Sequence, residues 1–469
     1  MKKYFLPAIV ALSLGFVSCT DDEPEDPEIK QYEDSQPSAV KAAKGFYVAN
    51  EDWFGHDNGT VNYFKVNGTG YDVVYRAYRA ANEGETLGVT TEFGTTWGSY
   101  VYLLSKQGNR LVVADANTLK KKAVFTDIGG DGRAFVGVDD QVGYVSHSAG
   151  VRRFDIANLQ LGDPVEGVTG QVGTMCYAEG RLFALTQKKV YVIDVATNKI
   201  EQAMTGTFNA LTRSKDGIVW VATSTDFLKI NPRTLEEQRM AYPEGIKIGG
   251  SWSAWNAGSL CASTQENVLY WGHGKSTWSI TAIAQYNIDT QAFNSSFYTL
   301  GKHEDKQLSL YAAGIRVDPL TDRVVATVTR GYENFNWVYL IAPNGTLEKE
   351  IVVNGGQNSE ADGYYWFPAV PFFEDANKPE ILTNQILLAS NETQTIDLTE
   401  KMIDADNTAL SIIREVEFAD NDLVTSSLKD NVLTVTSKGG IGSTTCKFIA
   451  ISNGEKVEKT VRVDVVLKK

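Results

Sequence analysis

The residues best placed to do chemistry are aromatic side chains set beside glycine and polar residues. Six such clusters stand out. They are Asn50-Glu-Asp-Trp53-Phe54-Gly-His56, Thr95-Thr-Trp97-Gly, Gly249-Gly-Ser-Trp252-Ser-Ala-Trp255-Asn256, Tyr270-Trp271-Gly-His273-Gly-Lys-Ser-Thr-Trp278, Arg330-Gly-Tyr332-Glu-Asn-Phe-Asn-Trp337 and Tyr364-Tyr365-Trp366-Phe367. Tryptophan in this setting offers a flat apolar face at little ordering cost, which suits a large flat ligand, a sugar ring or a protein partner. The candidate ligand-binding residues are therefore Trp53, Trp97, Trp252, Trp255, Trp271, His273, Trp278, Tyr332, Trp337 and Trp366. The competing role for each aromatic is packing one sheet against another. His273 lies between two glycines and is expected to be exposed, where it could meet a ligand or a metal or serve only as polar surface. His56 is read the same way.

Catalysis leaves no comparable signature. GxSxG, HExxH and P-loop motifs are absent, and four histidines are too few for a multi-histidine metal centre. No catalytic residue, metal or cofactor is expected, although catalytic carboxylate pairs cannot be told from surface ones without geometry. Cys176, Cys261 and Cys446 form no short metal spacing and read as isolated core residues. The net charge of −14 argues against nucleic-acid binding and against docking on anionic lipid.

These clusters need a scaffold, and the repeats describe one. A short apolar strand followed by an Asp or Asn turn recurs, as in Leu111-Val-Val-Ala-Asp115, Val151-Arg-Arg-Phe-Asp155, Val190-Tyr-Val-Ile-Asp194, Phe227-Leu-Lys-Ile-Asn231 and Ile283-Ala-Gln-Tyr-Asn287. Weaker copies end at Lys65 and Ala342. The seven copies recur about every 46 residues, the spacing of a propeller blade. The turn carboxylate or amide is expected to bond nearby backbone amides. The two longest gaps, 231–287 and 287–342, hold the third to fifth aromatic clusters and imply long loops, which often carry function. The expected fold is all-β: a seven-bladed β-propeller over residues 45–374, followed by a small immunoglobulin-like or cadherin-like β-sandwich over 375–469. Asp404-Ala-Asp406-Asn407 could edge a calcium site or be a solvated turn.

The N-terminus reads as an address. Lys2 and Lys3 precede an apolar run too short to span a membrane, so residues 1–18 read as a signal peptide. Phe16-Val17-Ser18-Cys19 resembles a bacterial lipobox, with Phe16 where the pattern usually has Leu. That resemblance implies lipidation at Cys19. The following Thr-Asp-Asp-Glu-Pro-Glu-Asp-Pro-Glu cannot pack, so residues 19–44 are expected to be an acidic flexible tether. It is similar to the export tag of Bacteroidetes surface lipoproteins.

Together with the repeats and the Trp366-Phe-Pro-Ala-Val-Pro-Phe-Phe-Glu-Asp close, these features resemble the YncE-like surface-layer lipoproteins of gut Bacteroidetes. The resemblance covers residues 1–375 and implies an outer-membrane, surface-exposed, lipid-anchored protein that is not an enzyme. Some members capture cobalamin and pass it to a TonB-dependent transporter. The resemblance therefore implies cobalamin (vitamin B12), or another large nutrient, as ligand and such a transporter as partner. Two other functions stay open: a glycan- or protein-binding module, and a propeller hydrolase or lyase, which needs carboxylates or histidines converging at the channel mouth.

Overall fold

The structure is a computed structural model. It describes residues 31–467 apart from 54, 250–251, 253–254, 275–279, 355–365 and 420–421. The expected signal peptide, Cys19, the first part of the tether and Trp278 therefore lie outside the described residues.

Alternating apolar strands and glycine or Asx turns build seven four-stranded antiparallel sheets arranged as a ring. In six blades the chain runs outward from the channel. Their inner strands are Val89–Trp97, Gly132–Gly137, Val172–Ala178, Ala210–Arg213, Cys261–Ala262 and Ser309–Val317. The first blade is different. Its three outer strands come from the start of the propeller, but its inner strand is Pro368–Phe373, paired antiparallel with Gly45–Asn50. This pairing closes the ring and leaves no open inner edge.

The repeating turns do the work their sequence suggests. Asp115 Oδ1 accepts bonds from the amides of Asn117 and Thr118, both 3.1 Å. Asp155, Asp194, Asn231 and Asn287 repeat the device at Asn158, Thr197, Thr234 and Thr290. The Thr197 amide and hydroxyl hold the Asp194 carboxyl below its ordinary range. Each turn links the third strand of a blade to its outermost one.

The extra length in the late repeats falls between blades. Residues 242–260 join blade 5 to blade 6, and a hairpin of Lys302–His303 with Lys306–Gln307 precedes blade 7. A short helix, Ala77–Ala81, joins blade 1 to blade 2. All three lie at the end of the ring from which inner strands start, here called the upper end. Among the described residues no helix is long and apolar enough to cross a membrane.

The second unit is a β-sandwich. Strands Gln385–Ala389, Glu455–Val466, Gly442–Ser452 and Ile413–Phe418 form one sheet, and Thr393–Asp397, Val432–Ser437 and Val424–Lys429 the other. Phe448, Leu433, Val463 and Met402 fill the space between. The sandwich sits on the lower end of the propeller. Gly98 N donates to Asn453 O at 2.6 Å, Arg213 donates to Ser411 and to the Leu410 carbonyl, and Arg233 pairs with Asp430 at 2.8 Å.

The later part of the expected tether is not free. Residues 32–44 run along the sandwich and the linker. The Ser35, Lys41 and Lys44 amides donate to Leu382 O, Asn377 Oδ1 and Glu374 Oε2 at 2.8, 2.8 and 2.7 Å, and Asp34 pairs with Lys401 at 3.0 Å. The acidic run of residues 20–28 supplied the flexibility argument. Beyond it the backbone finds partners, and an amide bonded to protein loses its reason to stay solvated.

Trp97 belongs to this junction. Its ring packs where a Cβ on Gly137 or on Gly454 would collide with it, and its Nε1 donates to Asp139 O at 2.8 Å. Trp97→Ala should cost about 3 kcal/mol. It should also separate sandwich melting from propeller melting in calorimetry; one unshifted transition would refute this role. Asp375 in the linker is pushed up to about 9 from 3.8, by burial first and then by its bond to Asp406. The folded chain keeps a proton that the unfolded chain releases near pH 4, so stability falls as pH rises from about 4 to about 9. Asp375→Asn should flatten that slope in urea melts taken across the same range.

Candidate ligand-binding mouth

The channel has two unlike ends. A cavity of about 380 Å³ occupies its lower half, between Phe93–Thr96, Thr174–Cys176, Arg316 and Phe372, and is bounded below by Asp406 and Asn453 of the sandwich. The upper end carries no second module among the described residues. It is edged by the blade-to-blade loops and by the turns between second and third strands.

Bulges shape this upper mouth. The pairing of inner and second strands slips between Ala49 and Asn50, Thr91 and Phe93, Gly132 and Phe135, Val172 and Met175, and Leu310 and Ile315. A bulge adds a residue to one strand and re-aims its side chain. The residues so released include Glu92, Arg133 and Tyr311. Glu51 follows the slip in blade 1. Thr90, Ala312, Asp52 and Phe367 beside them all have left-handed φ, +59°, +46°, +58° and +43°. Non-glycine residues hold such angles only where their surroundings impose them, and Thr is the most strained of the four.

These residues build a polar floor. The Glu51 and Glu92 carboxyls face each other at close range, and Tyr311 lies beside Glu51. Lys106 Nζ lies 2.9 Å from Glu92 Oε2. Glu92 is 4% exposed. Burial and then the facing Glu51 charge raise Glu92 well above the ordinary carboxyl range, and burial raises Glu51 too. Two buried carboxyls facing each other titrate as a pair, each disfavouring ionisation of the other. In the next blade Arg133 donates to Gln171 at 2.8 Å and lies over the Trp255 ring at 5.3 Å, while Gln171 donates to Trp252 O at 2.8 Å.

The sequence-expected residues divide sharply. Trp53 and Tyr332 are on the mouth and 40% and 59% exposed. Trp53 stacks on His56 at 3.8 Å. Trp252 and Trp255 fold inward from the long blade 5–6 loop against Gly173. Trp252 is half-buried and donates to Phe208 O at 2.9 Å; Trp255 is buried. Trp271, Trp337 and Trp366 are corrected to packing residues. Trp271 is fully buried between blades 5 and 6, edge-on to Phe227 and Phe293. Trp337 is buried beside His303 and Phe335, and Trp366 is fully buried against Tyr75 and Arg76. Inter-blade volume demands large flat side chains, and these satisfy it. Trp97 is at the sandwich junction, on the wrong end of the channel. His273 is half-buried at the upper end of strand Val268–Gly274 rather than exposed.

Sequence reasoning missed the floor. Glu51 sits inside the first aromatic cluster, and Glu92 is a lone charge inside an otherwise uncharged strand. That lone charge was the available signal. Phe367 sits in the sixth aromatic cluster; Lys106, Arg133 and Tyr311 carry no signal, because the tertiary placement that aims them is invisible in the local pattern. Among the described residues no three His, Cys, Asp or Glu side chains are grouped to hold a metal.

A closed ring of seven four-stranded blades with a polar, aromatic mouth defines a β-propeller. The chain belongs to the family described as Domain of unknown function (DUF5074), whose profile matches residues 44–374. The fold is similar to that of a quinonprotein alcohol dehydrogenase-like protein (BT1487) from Bacteroides thetaiotaomicron, at 17% identity and a TM-score of 0.52, over 71% of this chain and 78% of that one. A second likeness, at 14% identity and a TM-score of 0.42, is to the extracellular domain of the one component system BT4673 from B. thetaiotaomicron, over 87% of this chain and 62% of that one. A third is to the computationally designed Ika8 protein, at 12% identity and 0.42, over 65% and 86%. No curated protein matches the chain.

The floor predicts a pH dependence. Glu51 is raised in the folded state, so folding holds a proton there and stability declines as pH climbs above the usual 4.5. Glu51→Gln keeps the Lys106–Glu92 ion pair and removes the second carboxyl. Its denaturation midpoint should match the parent near pH 4 and exceed it at pH 8. Equal midpoints at both would show that the pair carries no such penalty.

Proposed function

We propose that this chain is a surface lipoprotein that captures a large nutrient ligand, cobalamin or a related corrinoid, and hands it to a TonB-dependent outer-membrane transporter. One observation carries the capture step. Of the four exposed large aromatic side chains among the described residues, Trp53, Tyr332 and Phe335 lie on the rim of the upper mouth and Tyr32 lies against the sandwich, which covers the lower end. A wide ligand with a planar face and amide arms needs apolar area together with hydrogen-bonding groups. The rim offers the first, and Glu51, Glu92, Lys106, Arg133 and Gln171 offer the second. The resemblance to YncE-like lipoproteins supports the ligand class, the anchor at Cys19, the outer-membrane location and the transporter.

A propeller hydrolase or lyase is the second reading, favoured by the convergence of Glu51 and Glu92. Their close approach weighs against it for glycoside cleavage, where the two carboxyls stand about 5–9.5 Å apart to flank the bond. A sugar-binding rim shares the aromatic argument.

Cyanocobalamin mixed with the chain lacking residues 1–19 should co-elute from a size-exclusion column. Trp53→Ala and Trp252→Ala should each weaken binding about tenfold, within the range for losing one ring contact. Trp271→Ala is unsuitable here, because its loss should destabilise the blade by about 3–5 kcal/mol. Free elution of the vitamin well above micromolar concentration would dismiss the corrinoid and direct attention to a glycan array.

A further inference from the structure

Three rings stand together where blade 7 meets blade 1. The Tyr311 and Tyr332 centroids are 6.3 Å apart with planes at 88°, Phe367 lies 5.4 Å from Tyr311 and 6.3 Å from Tyr332. A cation is drawn to a ring face within about 6 Å of its centroid, so one cation can lie within reach of all three rings. The two tyrosines meet T-shaped, and Phe367 is tilted against both. Below them is Glu51. Its amide donates to Phe367 O at 3.0 Å, its carboxyl lies beside Tyr311, and its charge is felt by Tyr332. Tyr332 is 59% exposed, so solvent reaches the group. Phe367 and Ala312 hold left-handed backbone angles that fix two of the rings.

The three planes are not parallel, so no flat ring can stack on all of them. A compact group can touch all three. An anion would face the Glu51 carboxyl, and a neutral alkyl group would leave that carboxyl unused beneath it. A positively charged, weakly hydrated group satisfies rings and carboxyl at once.

We propose that Tyr311, Tyr332, Phe367 and Glu51 form a binding site for an organic ammonium group of the methylated, choline-like kind. The site stands independently of the corrinoid reading. The groups facing the pair are Lys106 of blade 2, Arg133 of blade 3 and the phenols of Tyr311 and Tyr332 of blade 7. Lys106 and Arg133 favour ionised carboxylates, and a bound cation adds to them. Burial raises the Glu51 carboxyl, so it is more fully ionised at higher pH and cation affinity rises with pH.

Choline and its neutral isostere 3,3-dimethylbutan-1-ol are titrated calorimetrically into the purified full-length chain. Choline should bind about tenfold more tightly than the alcohol, and more tightly at pH 8 than at pH 5. Tyr332→Ala should lose about tenfold in choline affinity. Glu51→Gln should weaken choline binding and abolish its pH dependence. Tyr332 is on the surface, so its variant should melt as the parent does, which separates lost binding from lost fold. Equal binding of choline and the alcohol, no choline binding at tens of millimolar, or an unchanged Tyr332→Ala would each overturn the proposal. Cyanocobalamin binding with no choline binding would overturn it while leaving the corrinoid reading intact.

Discussion

The pairing of Gly45–Asn50 with Pro368–Phe373 is the contact on which the molecule depends. It joins strands more than three hundred residues apart and closes a sheet that would otherwise present an open edge to the channel. The closure also makes the candidate site. Residue 51 leaves one strand of the pair as residue 367 enters the other, and their backbones bond at 3.0 Å. Glu51 and Phe367 therefore reach the mouth side by side, next to Tyr311 of the last blade and Glu92 of the second. Without closure these four residues belong to four distant segments.

Below the ring, the sandwich gives the channel its polarity. It contacts turns at the lower ends of several blades and bounds the lower cavity through Asp406 and Asn453. Residues 32–44 tie sandwich, linker and first blade together before the chain enters the propeller. The N-terminal segment thus approaches from the sandwich side, and the mouth opens on the opposite side.

The aromatic residues illustrate why composition underdetermines a site. Trp271 and Trp53 have similar neighbours in sequence, a glycine and a histidine within three positions. One falls in a second strand and is swallowed between two blades. The other falls in a turn at the mouth and keeps 40% of its surface. Both roles use the same property, a large flat apolar face, and only position relative to the ring decides which surface it meets.

The sequence alone determined the blade count, the Asx turns at Asp115, Asp155, Asp194, Asn231 and Asn287, the long loops before blades 6 and 7 and the strand-rich module that follows. These follow from local rules: alternation sets a strand, and a side chain bonding its own backbone sets a turn. Trp53 and Tyr332 were legible for the same reason, since each lies in a turn whose composition marks it. Only tertiary structure decided that Glu51 and Glu92 face each other, that Tyr311, Tyr332 and Phe367 meet, that Trp97 seats the sandwich and that Trp271, Trp337 and Trp366 are interior. Those outcomes depend on inter-blade packing, on strand slips of a single residue and on a ring closed between its first and last strands. No local pattern encodes a contact whose partners are brought together only when the ring closes.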